Sequence, residues 1–288
     1  MDTATLLDGI CFGEGPRWHD NHLWFSDMHA HEVIKLNLDG TSQVIANVPQ
    51  QPSGLGWLPD QRLVVVSMTD KKLLIDEAGE LSEYADLSQL ASYHCNDMVV
   101  DAKGRCYVGN FGFDLISRAS QKPAELIMVS ENGTASIVAD DLQFPNGTVI
   151  TPDGRTLIVA ESMAARLTAF DIDQHGALSN RRVWAQMDGA LPDGICLDED
   201  SGIWVASPIS NECLRLTEGG AVTDRIKVEH QAYACMLGGE NGKRLFICTA
   251  SSSSPEQCKA QRDGRIEYAD VSVAGALPNE PVGTAPVN

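Results

Sequence analysis

The stretch that decides the fold is Leu191-Pro192-Asp193-Gly194-Ile195-Cys196, because its pattern returns along the whole chain. A small or polar residue beside Gly or Pro enters an apolar run, a polar turn follows, and a second apolar strand comes after it. Gly13-Glu14-Gly15-Pro16 stands before Leu23-Trp24-Phe25, Gln51-Pro52-Ser53-Gly54 before Leu63-Val64-Val65, and Cys95-Asn96-Asp97-Met98 before Cys106-Tyr107-Val108. Phe144-Pro145-Asn146-Gly147 precedes Leu157-Ile158-Val159, and Pro192-Asp193-Gly194 precedes Ile203-Trp204-Val205. A weaker sixth copy runs through Ala234-Cys235-Met236 to Leu245-Phe246-Ile247.

A pitch of roughly 40 to 50 residues marks a propeller or another repeat architecture, in which each unit buries its apolar face only against the next. Aligning the copies on their second strand gives one equivalent position per copy, about ten residues upstream. Those positions hold Glu14, Ser53, Asn96, Asn146, Asp193 and Cys235. With one blade of sheet per copy around a common axis, all six face the central channel at one level. The expectation is therefore an all-β, six-bladed β-propeller spanning 1–288 as one domain, with a central metal site. Residues 3–10 read as a lone strand that completes the last blade. The tail after about residue 274, with Pro278, Pro281 and Pro286 among small residues, is too poor in apolar content to pack. Leu81 to Ser92 is the one stretch whose spacing could be helical, the insertion 114–124 belongs at a blade top, and the serine run 251–254 reads as loop.

Forty acidic residues against twenty-one basic give a formal charge of −19 and a pI near 4.6. Such a surface repels polyanions, which argues against a nucleic-acid partner. An acidic mouth concentrates divalent cations instead. The eight cysteines form no Cys-x-x-Cys and sit mostly within apolar runs, where Cys behaves as a small buried hydrophobe. Met1-Asp2-Thr3-Ala4 has neither a basic start nor a long apolar segment. No signal peptide or membrane span is read, so the expectation is a cytoplasmic protein with free thiols and no membrane partner.

Two carboxylates, Glu14 and Asp193, and two amides, Asn96 and Asn146, project into the expected channel from four blades. Like charges in a narrow space are tolerated chiefly when a cation neutralises them, and a combined charge of about −2 matches a divalent ion. All donors are oxygens, which places Ca²⁺ first and suits Mg²⁺ or Mn²⁺, while Zn²⁺ or Fe²⁺ with open positions stays compatible. His94 is two residues from Asn96 and shares its strand face, beside the metal site as a hydrogen-bond donor. His29 and His31 share the same spacing but fall in a hairpin between exposed charges and are not read as a metal pair. No Gly-x-Ser-x-Gly, phosphate loop or dinucleotide fingerprint is present.

As a set, Gly13-Glu14-Gly15-Pro16-x-Trp18, Asn96-Asp97 with Asp101-x-x-Gly104-Arg105, Pro145-Asn146-Gly147 with Pro152-Asp153-Gly154, and Pro192-Asp193-Gly194 resemble a known family. It is the senescence marker protein, gluconolactonase and luciferin-regenerating enzyme family of six-bladed propellers, and the resemblance covers nearly the whole chain. It implies one divalent cation held by Glu14, Asn146 and Asp193, with Asp193 also the acid/base, and Asn96 contacting substrate or metal. It further implies a small-molecule lactone as substrate and an acidic substrate contact at about Asp114. The family's sugar-lactonase members place an arginine where this chain has His94. That departure removes a permanent forked donor suited to polyhydroxylated substrates and opens the way to a less polar lactone. The Glu/Asn/Asn/Asp set matches the resembling diisopropyl fluorophosphatases equally, so a phosphorus-ester hydrolase is the alternative enzyme and a non-catalytic binding platform the alternative of another class.

Overall fold

The computed structural model describes residues 2–276. Strand β1 (Ala4–Ile10) comes first, and the first blade follows as β2 (Gly13–His19), β3 (His22–Asp27), β4 (Glu32–Leu36) and β5 (Ser42–Asn47). The second blade is β6 (Pro52–Trp57), β7 (Leu63–Ser67), β8 (Lys72–Glu77) and β9 (Glu80–Asp86). The third is β10 (Cys95–Val100), β11 (Cys106–Asn110), β12 (Ala124–Val129) and β13 (Ala135–Leu142). The fourth is β14 (Pro145–Ile150), β15 (Thr156–Glu161), β16 (Arg166–Ile172) and β17 (Leu178–Gln186). The fifth is β18 (Ile195–Leu197), β19 (Ile203–Ser207), β20 (Glu212–Leu216) and β21 (Val222–Lys227). The sixth holds β22 (Gln231–Gly238), β23 (Arg244–Ala250) and β24 (Gly264–Asp270), with helix α1 (Pro255–Gln261) between the last two.

Each blade is a four-stranded antiparallel meander, and the sixth is completed from the other end of the chain, in the order β22-β23-β24-β1. Ala4 pairs with Tyr268 and Ile10 with Gly264. The first strands of the blades touch in sequence, β2 to β6 to β10 to β14 to β18 to β22 and back to β2, which closes the ring. This is the six-bladed propeller that the repeat pitch implies.

The second strand of each blade is buried on both faces, which is why Leu63-Val64-Val65-Val66 and Ile203-Trp204-Val205-Ala206 read as unbroken apolar runs. Their side chains fill the wedges between blades: Val64, Val66, Leu73 and Ile75 of the second pack with Cys95, Met98, Cys106 and Val108 of the third. Nearer the axis there is room only for backbone. A Cβ on Gly54 would lie 2.4 Å from the Met98 nitrogen and one on Gly147 2.4 Å from the Ile195 nitrogen, so neither position accepts a side chain.

Three local expectations change. The helical reading of Leu81 to Ser92 fails: the stretch begins in β9, an outer strand exposed along much of its length, and turns after Asp86. Polar residues on both faces of an edge strand blur its period of two. The region after the serine run forms α1, which the sequence signals only through Pro255 at its first turn. Residues 274–276 are held: Glu199 N–H donates to the Ala274 carbonyl at 2.9 Å and Ala276 N–H to that of Leu197 at 3.0 Å. The rest of the expected loose tail lies outside the described residues. No described helix is long and apolar enough to cross a membrane, and all eight cysteines are free and buried.

Candidate functional site

The candidate positions gather at one end of the ring because they occupy equivalent points of equivalent strands. Pro52 and Ser53, Cys95 and Asn96, and Pro145 and Asn146 open β6, β10 and β14, while Glu14 is the second residue of β2 and Asp193 lies just ahead of β18. At this point four inner strands break register with their neighbours: between Glu14 and Arg17, Pro52 and Leu55, Cys95 and Met98, and Pro145 and Thr148. A bulge re-aims the residue it contains, and each break lies where a side chain must turn toward the axis. Asp193 is set differently, its N–H donating to the Ala206 carbonyl at 3.0 Å and Gly147 N–H donating to its own carbonyl at 3.2 Å.

In four blades the segments that lead into these strands are braced by the polar side chain that ends the second strand: Asp27, Asn110, Glu161 and Ser207. The Asp27 carboxylate accepts from the N–H groups of Cys11 and Phe12, both at 2.9 Å. Glu161 accepts from Gln143 N–H at 2.8 Å, and the Ser207 hydroxyl from Leu191 N–H at 3.2 Å. These braces are buried, and sequence reasoning did not single them out. Their repetition at the same phase of the copies is the signal that could have found them.

The acids meet electrostatically. Burial pushes the Glu14 carboxyl well above the usual carboxylate range, and the charges of Asp193 and then Asp97 push it further. Burial lifts Asp193 to about 8, a hydrogen bond from Asn146 offsets part of this, and Asp97 adds to the rise. Asp193 is partly exposed, yet its Oδ1 is shut away from solvent with no hydrogen-bond partner among the described residues. Asn146 Nδ2 also donates to the Ser162 hydroxyl at 3.3 Å, which in turn donates to the Pro192 carbonyl at 2.6 Å. Glu14, Asn146 and Asp193 thus converge from three blades. Asn96 belongs to the same level on the next inner strands: its Oδ1 lies 3.4 Å from the Ser53 hydroxyl and its Nδ2 donates to the Pro145 carbonyl at 3.3 Å.

Two further residues of this level were missed in the sequence. Asp97 is buried beside the ring and paired with Arg17 at 2.8 Å, and the same guanidinium group reaches the Met98 carbonyl. Arg17 also lines a cavity of about 200 Å³ at the opposite end of the inner strands, among Val99, Val149 and Leu197, which contains none of the candidate ligands. With Asp97 neutralised by Arg17, Glu14 and Asp193 leave about two negative charges for an ion to balance.

His94 stands at the mouth, half-buried, its ring stacked on Tyr93 at 4.2 Å. Burial lowers its pKa, and the nearby Asp114 carboxylate acts in the other direction. Asp114 is on the surface, hydrogen-bonded to the backbone and hydroxyl of Ser117 and to Tyr93, and these bonds hold its carboxyl below the usual range. His29 departs from the exposed hairpin expected for it: it is 5% exposed, stacks on Phe12 at 5.1 Å and sits at the mouth. His31 turns away, its Nδ1 2.9 Å from the Pro49 carbonyl.

As donors, these groups suit a hard divalent cation: an orphaned carboxylate oxygen, a second carboxylate raised by its neighbours, and amide oxygens. Among the described residues no three His, Cys, Asp or Glu side chains are grouped to hold a metal. Glu14 and Asp193 supply two carboxylates, so any complete set needs Asn146 and water.

Residues 12–251 match the family model described as the SMP-30/Gluconolactonase/LRE-like region. The chain belongs to this family. It is 26% identical over 273 residues to a 6-deoxy-6-sulfogluconolactonase from Pseudomonas putida, covering 92% of this chain and 89% of that protein. It is 24% identical to the diisopropyl-fluorophosphatase of Loligo vulgaris, with 84% of each chain covered. Among solved structures, a calcium-binding regucalcin from Agrobacterium tumefaciens superposes with a TM-score of 0.80 at 21% identity, covering 96% of both chains. Family membership makes a hydrolase of lactone or related ester bonds the coarse functional class.

Proposed function

We propose that the chain is a divalent-metal-dependent lactonase that opens an intramolecular ester by attack of water. The single observation behind this reading is the buried, unpartnered Oδ1 of Asp193 beside Glu14 and Asn146. Glu14, Asn146 and Asp193 are the residues to hold the ion, with Ca²⁺ first by donor type and Zn²⁺, Mn²⁺, Mg²⁺ or Fe²⁺ compatible. When bound, the cation supplies Lewis-acid polarisation of the ester carbonyl. Asp193 accepts a proton from the attacking water and returns it to the ring alkoxide as the C–O bond breaks, giving a hydroxy acid. Asn96 donates toward the ester, and His94 orients it from the mouth, with Asp114 as a contact at the rim.

Elemental analysis of the purified protein, followed by hydrolysis assays on a lactone panel with that metal restored, tests the reading. A metal-loaded protein that opens no lactone would refute it. A second reading, hydrolysis of phosphorus triesters, is favoured by the same Glu14, Asn96, Asn146 and Asp193 set together with the diisopropyl-fluorophosphatase likeness. An organophosphate ester assayed beside the lactones separates the two.

A further inference from the structure

Each inner segment carries a further residue two positions before its ring member, with Gln51 and Phe144 set on left-handed backbone at φ 68° and 63°. Two positions before Glu14, Ser53, Asn96, Asn146, Asp193 and Cys235 stand Phe12, Gln51, His94, Phe144, Leu191 and Tyr233. Four carry rings, one is aliphatic, and none is acidic, Lys or Arg. Around the axis these groups join into two arcs. Tyr233 meets Phe12 edge-on at 4.6 Å, Phe12 stacks on His29 at 5.1 Å, and Gln51 Nε2 lies 3.4 Å from His29 Nδ1. Across the mouth His94 lies 6.3 Å from Phe111, which stacks on Phe144 at 4.6 Å, and Phe113 meets Phe144 edge-on at 6.0 Å.

Chain order puts these residues two positions from the ring, and Tyr233 lies within electrostatic reach of Asp193 and Glu14. Of the polar groups in this tier, the Tyr233 hydroxyl donates to Gln231 Oε1 and the Gln51 amide rests on His29, while His94 is the one assigned to the ester. A polyhydroxylated ring entering here would exchange water for aromatic faces, leaving hydroxyls without partners. An aryl or alkyl group gains contact with the same surfaces.

We propose that the site selects lactones carrying an aryl or alkyl substituent, with the ester at Glu14, Asn146 and Asp193 and the substituent against Phe12, Phe144 and Tyr233. This rests on the lactonase reading above. Dihydrocoumarin, γ-nonalactone and glucono-1,5-lactone, assayed with the metal-loaded protein, probe it. The expected kcat/KM for the first two exceeds that for the polyol by about 100-fold or more. Phe144→Asn lowers the aryl and alkyl values by about tenfold through KM and so narrows their lead over the polyol.

Equal or better turnover of the polyol overturns the inference while leaving the lactonase reading intact. If no lactone opens, that reading falls, and binding decides the inference independently: 3,4-dihydro-2-quinolinone, an aromatic lactam that resists hydrolysis, is titrated into wild-type protein by calorimetry. Binding of this lactam at least about tenfold tighter than that of gluconolactam supports the apolar tier. Equal or weaker binding overturns it, and the same titration serves should Phe144→Asn fail to fold.

Discussion

Glu161, at the end of β15, and Asp193, ahead of β18, occupy neighbouring blades at the same end of the ring, and their surroundings are opposite. Glu161 is fully buried and accepts from Arg166 Nε at 2.8 Å, Gln143 N–H at 2.8 Å and the Thr168 hydroxyl, with Arg181 at 3.3 Å. Burial alone would raise its pKa, but these donors outweigh burial and hold the carboxyl below its usual range. Asp193 has one enclosed oxygen without a donor and lies among other acids, so burial prevails and its pKa rises. A carboxylate whose partners are built into the chain is structural. One left short of positive charge holds a proton to higher pH, and stays ionised only beside a charge the chain does not itself supply.

The largest effect expected from this contrast is on turnover. Asp193→Ala should lower kcat/KM on an opened lactone by about 10³-fold or more, and equilibrium dialysis should show loss of the tightly held cation. Glu161→Gln should leave kcat and metal content near wild type but cost about 2 kcal/mol in chemical denaturation. That figure lies below the range for fully enclosed pairs because the Arg166 and Arg181 side chains are 27% and 33% exposed. A metal-free Asp193→Ala protein with full activity would erase the distinction.

Chelation comes next. A cation present at 100 times its Kd stabilises the folded state by about 2.7 kcal/mol, so a chelator should lower Tm of wild type and of Glu161→Gln alike. Asp193→Asn should remove this response, and without metal near neutral pH it should melt higher than wild type, because folding no longer has to protonate a carboxylate that is ionised in the unfolded chain. A lower Tm for chelated Asp193→Asn would contradict the electrostatic reading.

The two acids should also give pH slopes of opposite sign. The folded pKa of Asp193 lies above its ordinary value of 3.8, so the native state holds more protons than the unfolded chain between there and about 8. Its contribution in metal-free protein is therefore full below that window and declines as pH rises through it. Glu161 is depressed below its ordinary value of 4.5, so its contribution is present above that pH and is lost as pH falls through the folded value. Denaturation midpoints of chelated wild type, Asp193→Asn and Glu161→Gln across this range measure both slopes. Smallest is the rim: Asp114→Asn should change KM by a few-fold and leave the denaturation midpoint near that of wild type, since the residue is on the surface.

The ring was legible because a propeller repeats its phase: Pro145-Asn146-Gly147 and Pro192-Asp193-Gly194 can be laid over each other without knowing a single contact. Asp97 and Arg17 were not legible. Their pairing bridges residues 80 apart in sequence, and nothing local marks Arg17 as the partner of an acid in another blade. Asp27 and Glu161 look like ordinary turn and strand-end residues until the segments they brace are known. His29 was misplaced because its neighbours in sequence are polar, whereas its neighbours in space are Phe12 and Gln51.

The sixth blade takes its last strand from the beginning of the chain, β1 zipped along β24. A strand that precedes all the blades in sequence must therefore wait for the one that follows them before its hydrogen bonds are made. Until that clasp fastens, the circle is an open arc, and Glu14 and Asp193 lack the fixed spacing that a shared ion demands. If the proposed cation binds, its uptake during refolding should time the moment at which β1 and β24 pair.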